Sequence, residues 1–292
     1  MKRLASVIAM LTMLTPVAAR AFSVSPAIID LSATRGTVAS TSITITNADA
    51  REKTYYLQAI AFEPREDADA PRFLPREEGT AGLSEWISIE DRVRVPAGGK
   101  LTVPVKAAVP MDALPGTHYA AITVSDAPYD VVASQGAPIQ ARVAVLLFLT
   151  VEGGTAKAAL LDFLPDPAGA IRENTSHRYA LRIQNQGDVV VIPVGTVETR
   201  DLFGRVVASA QVNGEGKRVV PGSTRTFEVI VPEKGLALGP VTATLKLTYA
   251  SDQPALSSSD SFWVFPWPVV ILSAFVGLMG LMILVGIVRR RA

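Results

Sequence analysis

The chain has 292 residues, with 28 Lys and Arg against 27 Asp and Glu, two His and no Cys. The lack of Cys excludes a disulfide framework and thiolate metal centres, and two His leave little for zinc or redox-metal chemistry. Six basic residues (Lys2, Arg3, Arg20, Arg289, Arg290, Arg291) sit at the two ends; the stretch between them holds 22 basic and 27 acidic residues, which excludes the basic footprint of a nucleic-acid binder.

Residues 1–21 have the parts of a secretory signal. Met1-Lys2-Arg3 is the basic start, Leu4 to Val17 the apolar middle, and Ala19-x-Ala21 the small-residue cleavage pattern, so the mature chain is expected to begin at Phe22. The apolar run is too short to span a bilayer, which takes about 20 residues. From Phe22 to Phe262 helical periodicity is almost absent. Short β-branched runs replace it: Thr41 to Thr46, Val93 to Val95, Leu101 to Ala107, His118 to Val124 and Arg142 to Val151. Alternating apolar and polar residues between turn signals predict antiparallel strands, and Ser42 to Thr46 alternates without a break.

The pattern then repeats. Thr41 to Asn47 corresponds to Arg178 to Asn185, each ending in Asn. Val93 to Val109 corresponds to Val219 to Val231, each with a V-P-x-G-type turn before a long strand. Pro115-Gly116 and Gly239-Pro240 each open a further strand. Self-similarity at this scale predicts two domains of one architecture, 22–152 and 156–265, divided at Glu152-Gly153-Gly154-Thr155. About seven short strands in each is the immunoglobulin-like number. The asparagines suit strand ends because their side chains hydrogen-bond the local backbone, and the turn glycines supply positive φ. Finally, Val269 to Val288 is uncharged. Trp263 and Trp267 precede it and Arg289-Arg290-Arg291 follows, which predicts a transmembrane helix over 267–288 with a cytoplasmic basic tail at 289–292.

Several of these motifs carry a family resemblance. Ser23 to Leu31, Ile43 to Asn47, Tyr55 to Gln58, Trp86 to Ile89, Val95 to Val103 and Leu114 to Ile122 resemble the first domain of the WxL-interacting protein family. That resemblance implies a signal peptide, two immunoglobulin-like domains and a C-terminal membrane helix, with the first domain assigned to peptidoglycan and the second to a partner contact. The same first-domain pattern also resembles periplasmic pilus chaperones, which complete a subunit by lending a strand.

Candidate chemistry is sparse. His118 and His177 lack the nucleophile and carboxylate motifs of a triad, and no G-x-S-x-G or H-E-x-x-H is present. They read as ordinary strand or loop residues. The stretch Glu63-Pro-Arg-Glu66-Asp67-Ala-Asp69 could gather oxygens around Ca²⁺, but Arg65 and Arg72 intrude and a solvated hairpin fits better. Tyr55, Tyr56, Phe62, Phe73, Trp86, Tyr119 and Tyr129 could form a sugar-stacking platform. A lone Trp in a sandwich is core packing, which is the expectation for Trp86. Tyr129 is the one ligand-binding candidate, expected to be exposed between strands.

Together these features predict an all-β chain: two tandem immunoglobulin-like β-sandwich domains plus one C-terminal transmembrane helix. No catalytic, cofactor or metal site is expected. The expected function is a non-enzymatic, single-pass membrane scaffold whose extracytoplasmic bulk contacts peptidoglycan or another envelope protein. The alternative is a chaperone-like assembly factor for secreted subunits, recognisable by a free strand-accepting groove that binds an extended peptide; a hydrolase would need polar residues converging from distant loops.

Overall fold

The computed structural model describes residues 22–66, 70–74, 82–129, 141–166, 168–234 and 237–291. The signal peptide expected at 1–21, and Asp67 and Asp69, lie outside them. The described chain is all-β apart from two helices, and it divides into two compact units. One takes its residues from 22–62, 73–113 and 118–149, the other from 63–72, 114–117 and 150–291.

The first unit has two sheets. One has the order β1-β3-β9-β7: β1 (Ser23–Ser25), β3 (Val38–Thr46), β9 (Lys100–Ala108) and β7 (Ile87–Ser88). The other has the order β2-β11-β10-β4-β8: β2 (Ile28–Ala33), β11 (Arg142–Val151), β10 (Gly116–Ser125), β4 (Lys53–Ile60) and β8 (Arg92–Val95). Strand β3 shows how the sequence dictates the layer. Ile43 and Ile45 alternate with polar residues, both are fully buried, and they face Val103 and Leu101 of β9 across an antiparallel register. Val103, Val105, Tyr55, Leu57, Ile122, Leu147 and Leu149 complete the core between the sheets. The chain passes from β1 in one sheet to β2 in the other at Pro26, whose peptide bond is cis. A two-stranded ribbon, β5 (Phe62–Glu63) with β6 (Arg72–Phe73), and a single helical turn, α1 (Leu83–Trp86), lie between β4 and β7.

The second unit has a three-stranded sheet in the order β12-β14-β17: β12 (Ala158–Asp166), β14 (His177–Asn185) and β17 (Thr224–Val231). Its five-stranded sheet has the order β13-β19-β18-β15-β16: β13 (Ile171–Arg172), β19 (Leu256–Val264), β18 (Gly239–Thr248), β15 (Val194–Asp201) and β16 (Val206–Val212). Tyr179, Leu181, Ile183, Phe227, Val229, Val197, Leu245 and Leu247 form one buried cluster between these sheets.

The repeated asparagines do the same work in both units. Asn47 Nδ2 donates to the carbonyls of Val95 (3.1 Å) and Arg51 (2.8 Å), and its Oδ1 accepts from Asp49 N–H (3.0 Å) and Tyr55 O–H (3.0 Å). Asn185 Nδ2 donates to Val219 (2.9 Å) and Val189 (2.8 Å), and its Oδ1 accepts from Gly187 N–H (2.9 Å). Each side chain thereby ties a strand end to the turn before β9 or β17, and satisfies buried backbone groups that would otherwise be orphaned.

After β19 the chain forms α2 (Trp267–Arg291), whose described apolar side chains are exposed. Among the described residues no helix is long and apolar enough to cross a membrane. This corrects the transmembrane helix expected over 267–288, and with it the single-pass membrane placement and the cytoplasmic tail at 289–292.

Candidate functional site

The aromatic residues singled out from the sequence do not converge. Phe22 and Tyr55 pair at 4.7 Å, with Tyr55 buried in the core. Phe62, Tyr119 and Phe148 form a second group, Phe62 lying 4.9 Å from Tyr119 and 6.3 Å edge-on to Phe148. Trp86 is only half-buried, its ring 4.5 Å from that of His118, so the expectation of a core tryptophan is corrected: it sits on a short helical turn beside β9 and β4. Among the described residues these rings lie in separate groups, and no common stacking face joins them.

Tyr129 was expected to be exposed and is half-buried instead. Its hydroxyl lies at the seam of β4 and β10, 2.9 Å from the Thr123 carbonyl, 3.2 Å from the Tyr56 carbonyl and 3.0 Å from Thr123 Oγ1. Burial pushes its pKa up. The Arg142 guanidinium lies 4.9 Å from its ring centre. Tyr129 thus supports the first residue of β11 by a cation–π contact.

That support matters because of what β11 leaves open. Leu146 N–H donates to the Ala27 carbonyl (2.9 Å) just before β2 begins. Strand β2 then runs to a turn where Gly36 N–H bonds the Val109 carbonyl (3.0 Å), at the segment leading into β10. Strands β10 and β11 are antiparallel, since Thr117 meets Thr150 (3.0 Å) at one end and Asp126 N–H reaches the Ala141 carbonyl (3.4 Å) at the other. So β2 lies alongside the second half of β11. The first half, Arg142 to Val145, extends past it by about 13 Å at 3.3 Å per residue. Ala141 turns its carbonyl toward β10, and Leu146 turns its N–H toward β2. By the alternation of an antiparallel strand, Arg142 and Ala144 point their backbone groups toward the uncovered side. Among the described residues nothing pairs with them there. The sequence signal for this site was the length mismatch between β2 and β11, invisible until the two were known to be neighbours.

A second polar cluster was missed entirely. Arg172 is buried, donating through Nη2 to Asp260 Oδ2 (2.8 Å), through Nη1 to Tyr179 Oη (3.3 Å) and through Nε to the Gly169 carbonyl (3.0 Å). Tyr179 O–H also reaches Asp260 Oδ2 (3.2 Å), and burial raises its pKa to about 12. His177 stacks on Phe262 at 5.3 Å, and the Arg172 guanidinium covers the same ring at 3.8 Å. Burial, and then the Arg172 charge, lower the pKa of His177, whose Nδ1 has no hydrogen-bond partner among the described residues. This cluster is a strut closing one edge of the second unit, because Arg172 on β13 and Asp260 on β19 are 88 residues apart in sequence.

In the acidic stretch, Glu63 lies on β5, which pairs with β6; Asp67 and Asp69 lie outside the described residues. Glu63 pairs with Arg72 (3.4 Å), and Glu66 Oε1 accepts from Arg182 Nε (2.8 Å). Among the described residues no group of three or more His, Cys, Asp or Glu is placed to hold a metal.

No family model matches the chain, and no curated protein matches it. Several solved structures are similar to it. The class 5 fimbriae chaperone CfaA shares 12% identity at a TM-score of 0.43, covering 84% of this chain and 100% of that one. The Pseudomonas aeruginosa CupB2 chaperone shares 12% at 0.39, covering 83% and 100%. The E. coli chaperone DraB shares 10% at 0.40, covering 84% and 96%. At such identities and TM-scores the likeness assigns neither ligand nor partner.

Proposed function

We propose that the protein is a non-enzymatic assembly factor of the cell envelope, built of two tandem immunoglobulin-like sandwiches, which holds an extended segment of a secreted partner protein along β11. The observation that carries this reading is the uncovered run Arg142 to Val145. An unpaired strand edge is a ready template for a further strand, with backbone bonds supplying affinity and alternate side chains supplying selectivity. Val143 and Ala144 are half-buried at this edge, and Ile28, at the start of the short β2, is exposed beside it. An apolar segment finds side-chain contacts there as well as backbone partners. The signal pattern at 1–21 supports export to the compartment where such partners are assembled.

The test is Ala144→Pro in the full chain. Proline removes an N–H that faces the open side and leaves the ladder to β10 intact. Secreted subunits co-purified with the native chain should be lost with the variant, while insoluble peptidoglycan should sediment neither. Subunits retained by Ala144→Pro, or sedimentation of both proteins with peptidoglycan, would count against the reading.

A further inference from the structure

In the second unit, β17 is the edge of its three-stranded sheet. Its partner β14 lies on one side, with Arg182 opposite Thr226, Ala180 opposite Glu228 and Arg178 opposite Ile230. Thr226 turns its N–H away from β14 and donates it to the carbonyl of Glu66 (3.1 Å). The alternation of an antiparallel strand then aims the backbone groups of Glu228 and Ile230 outward as well. The same Glu66 places its carboxylate on Arg182, 2.8 Å from Nε, and Arg182 also donates to Asp162 (3.0 Å). One residue therefore makes both contacts expected of an added strand: a backbone bond to the edge, and an acid laid across the sheet onto an arginine of the next strand.

Beside this edge lies a cavity of about 500 Å³, lined by Glu66, Gln211, Lys217, Arg225 and Phe227. Phe227 points inward from β17. In an extended segment paired with β17, the acid would face Arg182 on the outer surface of the sheet. The residue next to the acid would face the opposite way, into the cavity.

We propose that the outer edge of β17 is a docking edge for an extended segment of a partner protein carrying an acidic residue, and that Glu66 is the resident group it displaces. The occupant's chemistry follows from what Glu66 already satisfies: an unpaired edge N–H and the cation of Arg182. The site is separate from β11, so it stands or falls independently of that edge.

The probe is a fluorescent peptide of residues 63–72, titrated against the full chain and its variants by anisotropy. Glu66→Ala in the protein removes the resident carboxylate and should tighten peptide binding about threefold, the scale of one partly exposed ion pair. In the peptide, Glu66→Gln should weaken binding by a similar factor. Thr226→Pro should abolish binding, and Thr226→Val, which keeps the N–H, should retain it. A peptide with an ester in place of the amide between residues 66 and 67, which makes the Glu66 carbonyl a weaker acceptor, tests the same bond without altering the protein, and it should bind several-fold more weakly. Binding unaffected by the ester, or no binding even to Glu66→Ala, would overturn the proposal.

Discussion

At the residue scale the fold depends on a few polar side chains that close backbone accounts. Asn185 is buried and its Nδ2 satisfies the Val219 carbonyl. Asn185→Ala should cost about 2–3 kcal/mol in urea unfolding, the price of leaving buried backbone groups unpaired. Asn47→Ala should behave alike, since the bonds are equivalent. Both asparagines were legible in the sequence as repeated strand ends. Their partners were not, because Val95 and Val219 lie 48 and 34 residues away. His177 and Tyr179 predict opposite pH limits. Burial lowers the pKa of His177 in the folded chain, so the unfolded chain binds the extra proton first. Stability should fall as pH drops from 7 to 5, and His177→Phe should flatten that slope in thermal melts. Tyr179 is raised to about 12, so the unfolded chain loses its proton first and stability should fall as pH rises above about 10. Tyr179→Phe should remove the alkaline loss. The motifs behind the resemblance to WxL-interacting proteins, Ile43 to Asn47 and Val95 to Val103, are ladder and turn positions, informative about fold and silent about ligand.

At the element scale, alternation made the strands readable and sheet neighbours made the rest unreadable. Thr41 to Asn47 and Arg178 to Asn185 have period-2 burial, as their residues predict. The single helical turn at Leu83–Trp86 is too short to show periodicity, which is why Trp86 was misplaced. The passage of the chain from β1 to β2 across the two sheets left no sequence signal either, and it is this passage that leaves half of β11 uncovered. Strand β15 carries the most exacting position. Gly195 lies between β16 and β18, and an added Cβ would collide with the Lys246 carbonyl oxygen and lie 2.9 Å from Leu247 Cα. Both obstacles are backbone of a central strand and cannot move aside. Gly195→Ala should therefore lose about 3 kcal/mol in thermal or urea unfolding.

At the scale of the whole molecule, the all-β plan was visible in the alternating strands, and the described chain divides into two compact units whose residues interleave in sequence. What the repeat could not show is that residues 63–72, from the first half of the sequence, belong with the second unit through Glu66, Arg182 and Thr226. That attachment joins residues more than a hundred positions apart and has no local pattern. The membrane placement was read from composition at 267–288 and is corrected, since among the described residues no helix is long and apolar enough to cross a membrane. The proposed function rests on an edge and not on a pocket chemistry, which is why no residue motif announced it. The central claim is that Ala144 and Arg142 present unpaired backbone to an incoming strand. Amide hydrogen exchange resolved by residue tests it most directly. In the free chain, Ala144 N–H should exchange fast while its neighbours Val143 and Val145, turned toward β10, are protected; on adding the subunit captured by the native chain, Ala144 should become protected too. Protection of Ala144 in the free chain, or no change there on capture, would contradict the account.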